Sequence, residues 1–245
     1  MADLWIIMGA SSAMARAFAR MQAEAGAALT LVGREAKDLE RSAGDLRLRG
    51  AADVKVVIAD LRDATTFAPL LEQAETHEGK VNAALFAGSM PPQEEVQENP
   101  ALLAPMIADN FTGSAEFLLA LAPEQIKRGA GEVVGVSSVA GDRGRFSNYA
   151  YGSAKAGFQT FLSGHRNRMA RSGVHVMTVK PGFVDTAMTW GLPGLFLVAS
   201  PADVARDIAK GLKKKRNIIY TPAFWILIMT IIRMVPERIF KKLSM

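Results

Sequence analysis

Seven short runs of apolar and β-branched residues recur along the chain, separated by stretches with helical spacing. They are Leu4–Met8, Ala28–Val32, Val54–Ile58, Val81–Phe86, Val133–Val136, Val174–Val179 and Asn217–Tyr220. They lack the clean apolar–polar alternation of a sheet with one wet face, so strands buried on both sides are expected. Helical patterns lie between them, near Ala13–Ala25, over Glu35–Leu48 and over Ala101–Ala122. This alternation predicts an α/β fold: a doubly wound parallel sheet of about seven strands with helices on both faces. Right-handed crossovers then gather the carboxyl ends of the strands along one edge, where ligands bind.

At 245 residues the chain suits one such domain. No internal repeat or long linker divides it. The expected organisation is a catalytic domain over 1–221 and a helical tail over 222–245. The absence of cysteine excludes a disulfide framework, a thiolate metal site and a cysteine nucleophile. No metal site is predicted. The apolar residues 4–8 lack the basic start and the length of a secretory leader, so a cytoplasmic protein is expected. The formal charge of +5 is uneven: residues 201–245 carry +7 and residues 1–200 carry −2. No nucleic-acid motif accompanies the basic end, so no nucleic-acid partner is expected.

The strand ends carry the candidate cofactor residues. After the first strand come Gly9, Ser11, Ser12, Ala13 and Met14. A tight turn into a helix N-terminus presents free N–H groups and a favourable dipole to a pyrophosphate. Dinucleotide loops usually carry three glycines; only Gly9 remains here, and a plain strand-to-helix turn is the alternative. Gly33 and Arg34 end the second strand, where NAD enzymes usually place an acidic residue for the ribose. A small residue followed by a guanidinium suits a 2′-phosphate instead, so NADPH is expected over NADH. Asp60 and Leu61 follow the third strand, and Ala87 and Gly88 follow the fourth. Pro181 and Gly182 follow the sixth, with Val184 and Thr186 close behind.

Ser138 stands thirteen residues before Tyr151, and Lys155 stands four after it. On a helix, positions four apart share a face. A neighbouring ammonium favours the ionised phenol, and such a tyrosine can exchange a proton while a serine hydroxyl holds a substrate oxygen. A solvated surface pair is the plain alternative. Asn110, inside the long helical pattern, joins these candidates.

Taken together and in order, these motifs resemble the short-chain dehydrogenase/reductase family over nearly the whole chain. The resemblance implies a Rossmann-like fold and roles for four residues. Tyr151 would protonate the carbonyl oxygen and Ser138 would hold it. Lys155 would lower the tyrosine pKa and bind the nicotinamide ribose. Asn110 would anchor a relay water. Tyr149, six residues from Lys155, does not fit. Two departures stand out: Ala13 and Ala15 replace loop glycines, and Leu85-Phe86-Ala87-Gly88 replaces the family's Asn-Asn-Ala-Gly. The stretches Val179–Thr186, Tyr220–Phe224 and Arg233–Leu243 are similar to the decaprenylphosphoryl-2-keto-erythro-pentose reductase branch. That branch implies a keto sugar on a polyprenyl phosphate. The family also implies a homodimer or homotetramer, through the helix bearing Tyr151 and its neighbour.

The tail is apolar over Ala223–Ile232, a length of about 15 Å against a bilayer core of about 30 Å. It should not span a membrane. With Ile239, Phe240 and Leu243 beside Arg238, Lys241 and Lys242, it suits peripheral contact with an anionic surface; an oligomer interface is the alternative. Thr186–Ala199, with Met188, Trp190, Leu192, Leu195 and Phe196, reads as a mobile lid or a packed loop. The expected activity is NADPH-dependent reduction of a ketone. The alternatives are a reductase of a soluble ketone or 3-oxoacyl intermediate, and a nucleotide-binding scaffold subunit.

Overall fold

Leu4–Met8 forms β1, buried along its whole length. Trp5 and Ile7 point into one apolar layer, while Leu4, Ile6 and Met8 point into the other. A strand wet on neither face needs no polar alternation, which is why the sequence runs are continuous. The computed structural model describes residues 1–191 and 196–243. Its other strands are β2 (Ala28–Gly33), β3 (Asp53–Ile58), β4 (Val81–Leu85), β5 (Gly131–Val136), β6 (Val174–Pro181) and β7 (Ile218–Thr221). They form one sheet in the order β3-β2-β1-β4-β5-β6-β7, and every pairing is parallel. The strand order reverses between β1 and β4, which makes the carboxyl edge there the place for a ligand.

Helices α1 (Ala13–Glu24) and α2 (Ala36–Leu48) pack on one face with α8 (Pro201–Lys213). The other face is covered by α3 (Ala68–Thr76), α6 (Gly113–Arg128) and α7 (Tyr149–Ala170). Short helices α4 (Gln93–Glu98) and α5 (Leu103–Ile107) lead into α6. The seven-strand reading holds, with ends moved by a residue or two. The single helix expected over 101–122 does not form. A π-helical turn at Ala108–Thr112 separates α5 from α6 and carries Asn110.

The tail forms α9 (Trp225–Met234) and a single turn, α10 (Glu237–Phe240). Trp225 and Met229 are buried against Val139, while Ile226, Leu227, Ile231 and Met234 are exposed. Arg143 fixes the junction between the two helices. Its guanidinium donates to the carbonyls of Ile232 (2.6 Å) and Val235 (2.7 Å) and lies 3.6 Å from the centroid of the Phe240 ring. A cation at a helix C-terminus satisfies carbonyls that have no intrahelical donor. Among the described residues no helix is long and apolar enough to cross a membrane.

His165, on α7, is buried and stacks on Phe161 with ring centroids 5.4 Å apart. Burial, helped by the charge of Arg168, drives its pKa from the usual 6.5 down to about 4. The unfolded chain therefore takes up this proton at a higher pH than the folded one. Stability should fall as the pH drops from 6.5 to about 4, after which this contribution levels off. Urea unfolding at stepped pH checks this, with His165→Gln expected to flatten that part of the slope.

Candidate active site

A cavity of about 500 Å³ opens at the carboxyl edge of β1 and β4. Gly9 turns the chain there with φ +71°, a conformation that costs other residues strain. A Cβ on Gly9 would also lie 2.7 Å from the Ala87 nitrogen, so the two loops can approach only with glycine at this position. Ser12 caps α1, its Oγ accepting from the Ala15 nitrogen at 3.1 Å. Ser11, Ser12, Ala13 and Met14 all line the cavity. Ala15, at a position the family usually gives to glycine, is fully buried in the core beside α1's own Phe18. Its methyl group is thus directed into packing.

Gly33, Arg34, Asp60 and Leu61 line the same cavity, as do Ala87, Gly88 and Thr186. Asp60 Oδ1 accepts from the Arg62 nitrogen at 3.0 Å, which shapes the turn after β3. Sequence reading missed Asp109, which also lines the cavity. Arg62 grips its carboxylate with two bonds of 2.8 and 2.7 Å. Despite the cost of burial, this pairing holds the Asp109 pKa below the usual carboxylate range. The partner lies 47 residues away, so no local signal marks the pair. The neighbouring Asn110 is the only hint.

Ser138, Tyr151 and Lys155 do not line this cavity; Gly88, which does, stands beside Lys155. A Cβ on Gly88 would stand 2.6 Å from Asn110 Oδ1 and 3.3 Å from Lys155 Nζ. Asn110 is buried, and its Nδ2 donates to the carbonyls of Ser89 (2.7 Å) and Met106 (2.9 Å). Its Oδ1 has no partner among the described residues. Lys155 Nζ donates to the Val136 carbonyl at 3.2 Å and lies 5.8 Å from the centre of the Tyr151 ring. The Tyr151 ring packs with Val96, Met106 and Ala140. Ser138 Oγ accepts from the Ala140 nitrogen at 3.1 Å. Tyr149 is half exposed and accepts from Gln97, away from this group.

The electrostatics differ from the sequence expectation. Burial pushes Tyr151 up to about 12, with the Ser138 hydroxyl and the Arg145 charge pulling the other way. Burial draws Lys155 down to about 8. In the polypeptide itself, then, Lys155 does not hold the phenol down. Removal from water keeps Tyr151 neutral at pH 7 and weakens the hold of Lys155 on its proton, while leaving it mostly charged.

Pro181, Gly182 and Val184 do not line the cavity either. The ring of Trp225 fills the space over Gly182, where a Cβ would lie 1.9 Å from its Nε1. Val184 forms a parallel bridge with Ala199, closing the base of the loop between them. Met188 lines the cavity, Trp190 is 88% exposed, and Phe196 meets Phe183 and Trp225 edge to face or tilted. Leu192 and Leu195 lie outside the described residues.

Residues 4–193 match the model of the short chain dehydrogenase family. The chain belongs to that family. It is an oxidoreductase, and its seven-stranded parallel sheet is that of the family fold. It is 31% identical over 241 residues to an uncharacterized oxidoreductase of Mycobacterium tuberculosis, covering 97% of this chain and 96% of the relative. Its fold is similar to a short-chain dehydrogenase from Sphingobium yanoikuyae in complex with NADPH (TM-score 0.83, 24% identity, 94% and 93% of the two chains). It is equally similar to a family member from Burkholderia phymatum in complex with NAD (TM-score 0.83, 22% identity, 93% and 92%).

Gly88→Ala should place its methyl group against Asn110 Oδ1 and displace the Lys155 ammonium. Turnover is expected to drop by about 10²-fold, the scale of an ångström misplacement at a reacting centre. Steady-state kinetics beside a thermal melt would check this; an active Gly88→Ala protein would refute the crowding.

Proposed function

We propose that the protein is an NADPH-dependent carbonyl reductase of a keto sugar linked to a polyprenyl phosphate. The observation that carries the reductase reading is the meeting of Asn110 Oδ1, Lys155 Nζ and the cavity at Gly88. One buried acceptor without a partner among the described residues and one buried ammonium stand beside Gly88 on the cavity wall. The residues present fit a nicotinamide dinucleotide. The Gly9–Met14 turn would hold the pyrophosphate, Asp60 and Leu61 the adenine, and Lys155 a ribose. Arg34 is exposed at the cavity wall with no ion-pair partner among the described residues, which suits a 2′-phosphate.

A reduced nicotinamide held by these residues would be the source of the hydride for the carbonyl carbon. Tyr151 is neutral at pH 7, as a proton donor must be. Its phenol gives that proton to the carbonyl oxygen as the C=O electron pair moves onto it, and Ser138 Oγ holds the oxygen meanwhile. Asn110 Oδ1 holds the water that returns a proton toward Lys155.

The lipid-linked substrate is supported by the likeness of the tail and by its surface. Ile226, Leu227, Ile231 and Met234 form one exposed face of α9, and Ile239 and Leu243 are exposed near Arg238, Lys241 and Lys242 in sequence, whereas Phe240, expected with them, is buried under Arg143. This face fits the inner surface of an anionic membrane, with the protein cytoplasmic and peripheral. A homodimer or homotetramer through α7 and α6 accompanies the family likeness.

NADPH absorbance should fall when a polyprenyl-phosphate keto-pentose is supplied in micelles, and less readily with NADH. Tyr151→Phe should lose about 10²–10⁴ of that rate. Efficient reduction of a lipid-free 3-oxoacyl ester in place of the sugar would move the assignment to the soluble-ketone reading. Separately, the protein should float with phosphatidylglycerol-rich vesicles at low salt, and Leu227→Asp with Ile231→Asp should stay at the bottom of the gradient. Wild-type protein that also stays down removes the membrane contact.

A further inference from the structure

The loop between β5 and α7 reads Asp142-Arg143-Gly144-Arg145, and its two arginines have different surroundings. Arg143 is committed to the tail, through the carbonyls of Ile232 and Val235 and the Glu237 carboxylate. Arg145 has no such tie. Its Nε is buried without a hydrogen-bond partner among the described residues, and it forms no salt bridge there. The nearby Asp142 carboxylate is engaged by other groups and makes no ion pair with it among the described residues. Asp142 Oδ1 accepts from Lys180 Nζ at 2.6 Å, and Oδ2 accepts from the Tyr220 hydroxyl at 2.6 Å. The Arg145 guanidinium lies within Coulombic reach of both the Tyr151 phenol and the Asp142 carboxylate.

A half-buried guanidinium whose inner nitrogen has no partner, and whose neighbouring carboxylate is already bonded to two other groups, has donors left for an anionic ligand. Burial draws the pKa of Arg145 below its ordinary range. Arginine is also the side chain whose planar donors match the oxygens of a phosphate or carboxylate. Asn148, on the same loop, has a buried Oδ1 without a partner among the described residues, an acceptor for a substrate hydroxyl.

We infer that Arg145 is a specificity-determining residue that binds an anionic group of the substrate close to the carbonyl held by Tyr151. The inference rests on the reductase reading for its location and names the substrate class: a ketone with a phosphate ester or carboxylate near the reacting carbon. Such a charge fixes which carbonyl of a polyfunctional molecule meets the phenol. It also separates the substrate from neutral ketones of the same size.

The test uses the full chain, Arg145→Met and Arg145→Lys. Reduction by NADPH is followed for a 2-oxo pentose 1-phosphate, its neutral methyl glycoside, and 3-oxobutanoate. Calorimetry follows binding of an unreactive pentose 1-phosphate, a readout that needs no turnover. Arg145→Met is expected to lower the ratio of kcat/KM for the phosphate over the glycoside by about 10- to 100-fold, the worth of a charge-assisted bond. Pentose 1-phosphate binding should weaken by a similar factor, and Arg145→Lys should recover part of both. A parallel fall for 3-oxobutanoate would mean that Arg145 reads oxyanions generally; a fall for the phosphate alone would identify a phosphate ester. Equal losses on charged and neutral ketones, or unchanged phosphate binding in Arg145→Met, would overturn the assignment. If no ketone is reduced, the reductase reading fails, and the binding arm still decides the role of Arg145.

Discussion

The turn that follows β5 is tied to α7 by a small set of polar contacts, and the positions of Ser138, Tyr151 and Lys155 all depend on it. Ser137 Oγ donates to the Lys155 carbonyl at 3.1 Å. Gln159 Nε2 donates to both Ser137 Oγ (3.0 Å) and the Ser138 carbonyl (2.8 Å). In return Lys155 Nζ reaches the Val136 carbonyl at the end of the strand. Each bond contributes only about 1 kcal/mol in isolation. Inside the protein they are mutually conditional, because a buried polar group deprived of its partner costs more than the bond was worth. The serine and the tyrosine come from different elements, yet these ties hold them in one register.

Low local polarity then sets the chemistry. The Tyr151 ring sits among Val96, Met106 and Ala140, and the phenol stays protonated far above neutral pH. A few residues away the polar groups are saturated, with Lys180 and Tyr220 sharing Asp142. The site thus contrasts a satisfied polar network under the β5–α7 turn with unmet groups on Asn110, Arg145 and Asn148. Satisfied networks hold shape; unmet groups mark where a ligand contributes.

The strands were legible because burial on both faces leaves continuous apolar runs, and the register of the sheet only trims their ends. The Ser138, Tyr151 and Lys155 group was legible from spacing, since four residues on a helix fix a shared face. The break at Asn110 was not. Its segment has helical spacing throughout, and the π-helical turn coincides with a contact from Nδ2 to the Ser89 carbonyl, 21 residues away. The Asp109–Arg62 pair and the seating of Trp225 over Gly182 were hidden for the same reason: each joins distant parts of the chain. Reading a cation near a tyrosine as lowering its pKa was also incomplete. Proximity is visible in sequence, but removal from water is a property of the assembled site.

The attachment of α9 by Arg143 has a consequence for how the protein is made. The Arg143–Ile232 contact joins residues 89 apart. At 5–20 residues per second, translation delivers the second partner on the order of ten seconds after the first. Within that interval α7, β6, α8 and β7 are made in turn, and until it closes Gly182 lacks its indole cover and Arg143 its carbonyls. The apolar surface that Trp225 and Met229 later seal is open to chaperones during this window. Assembly of the outer wall is therefore among the last steps of biogenesis, following directly on the last strand, β7.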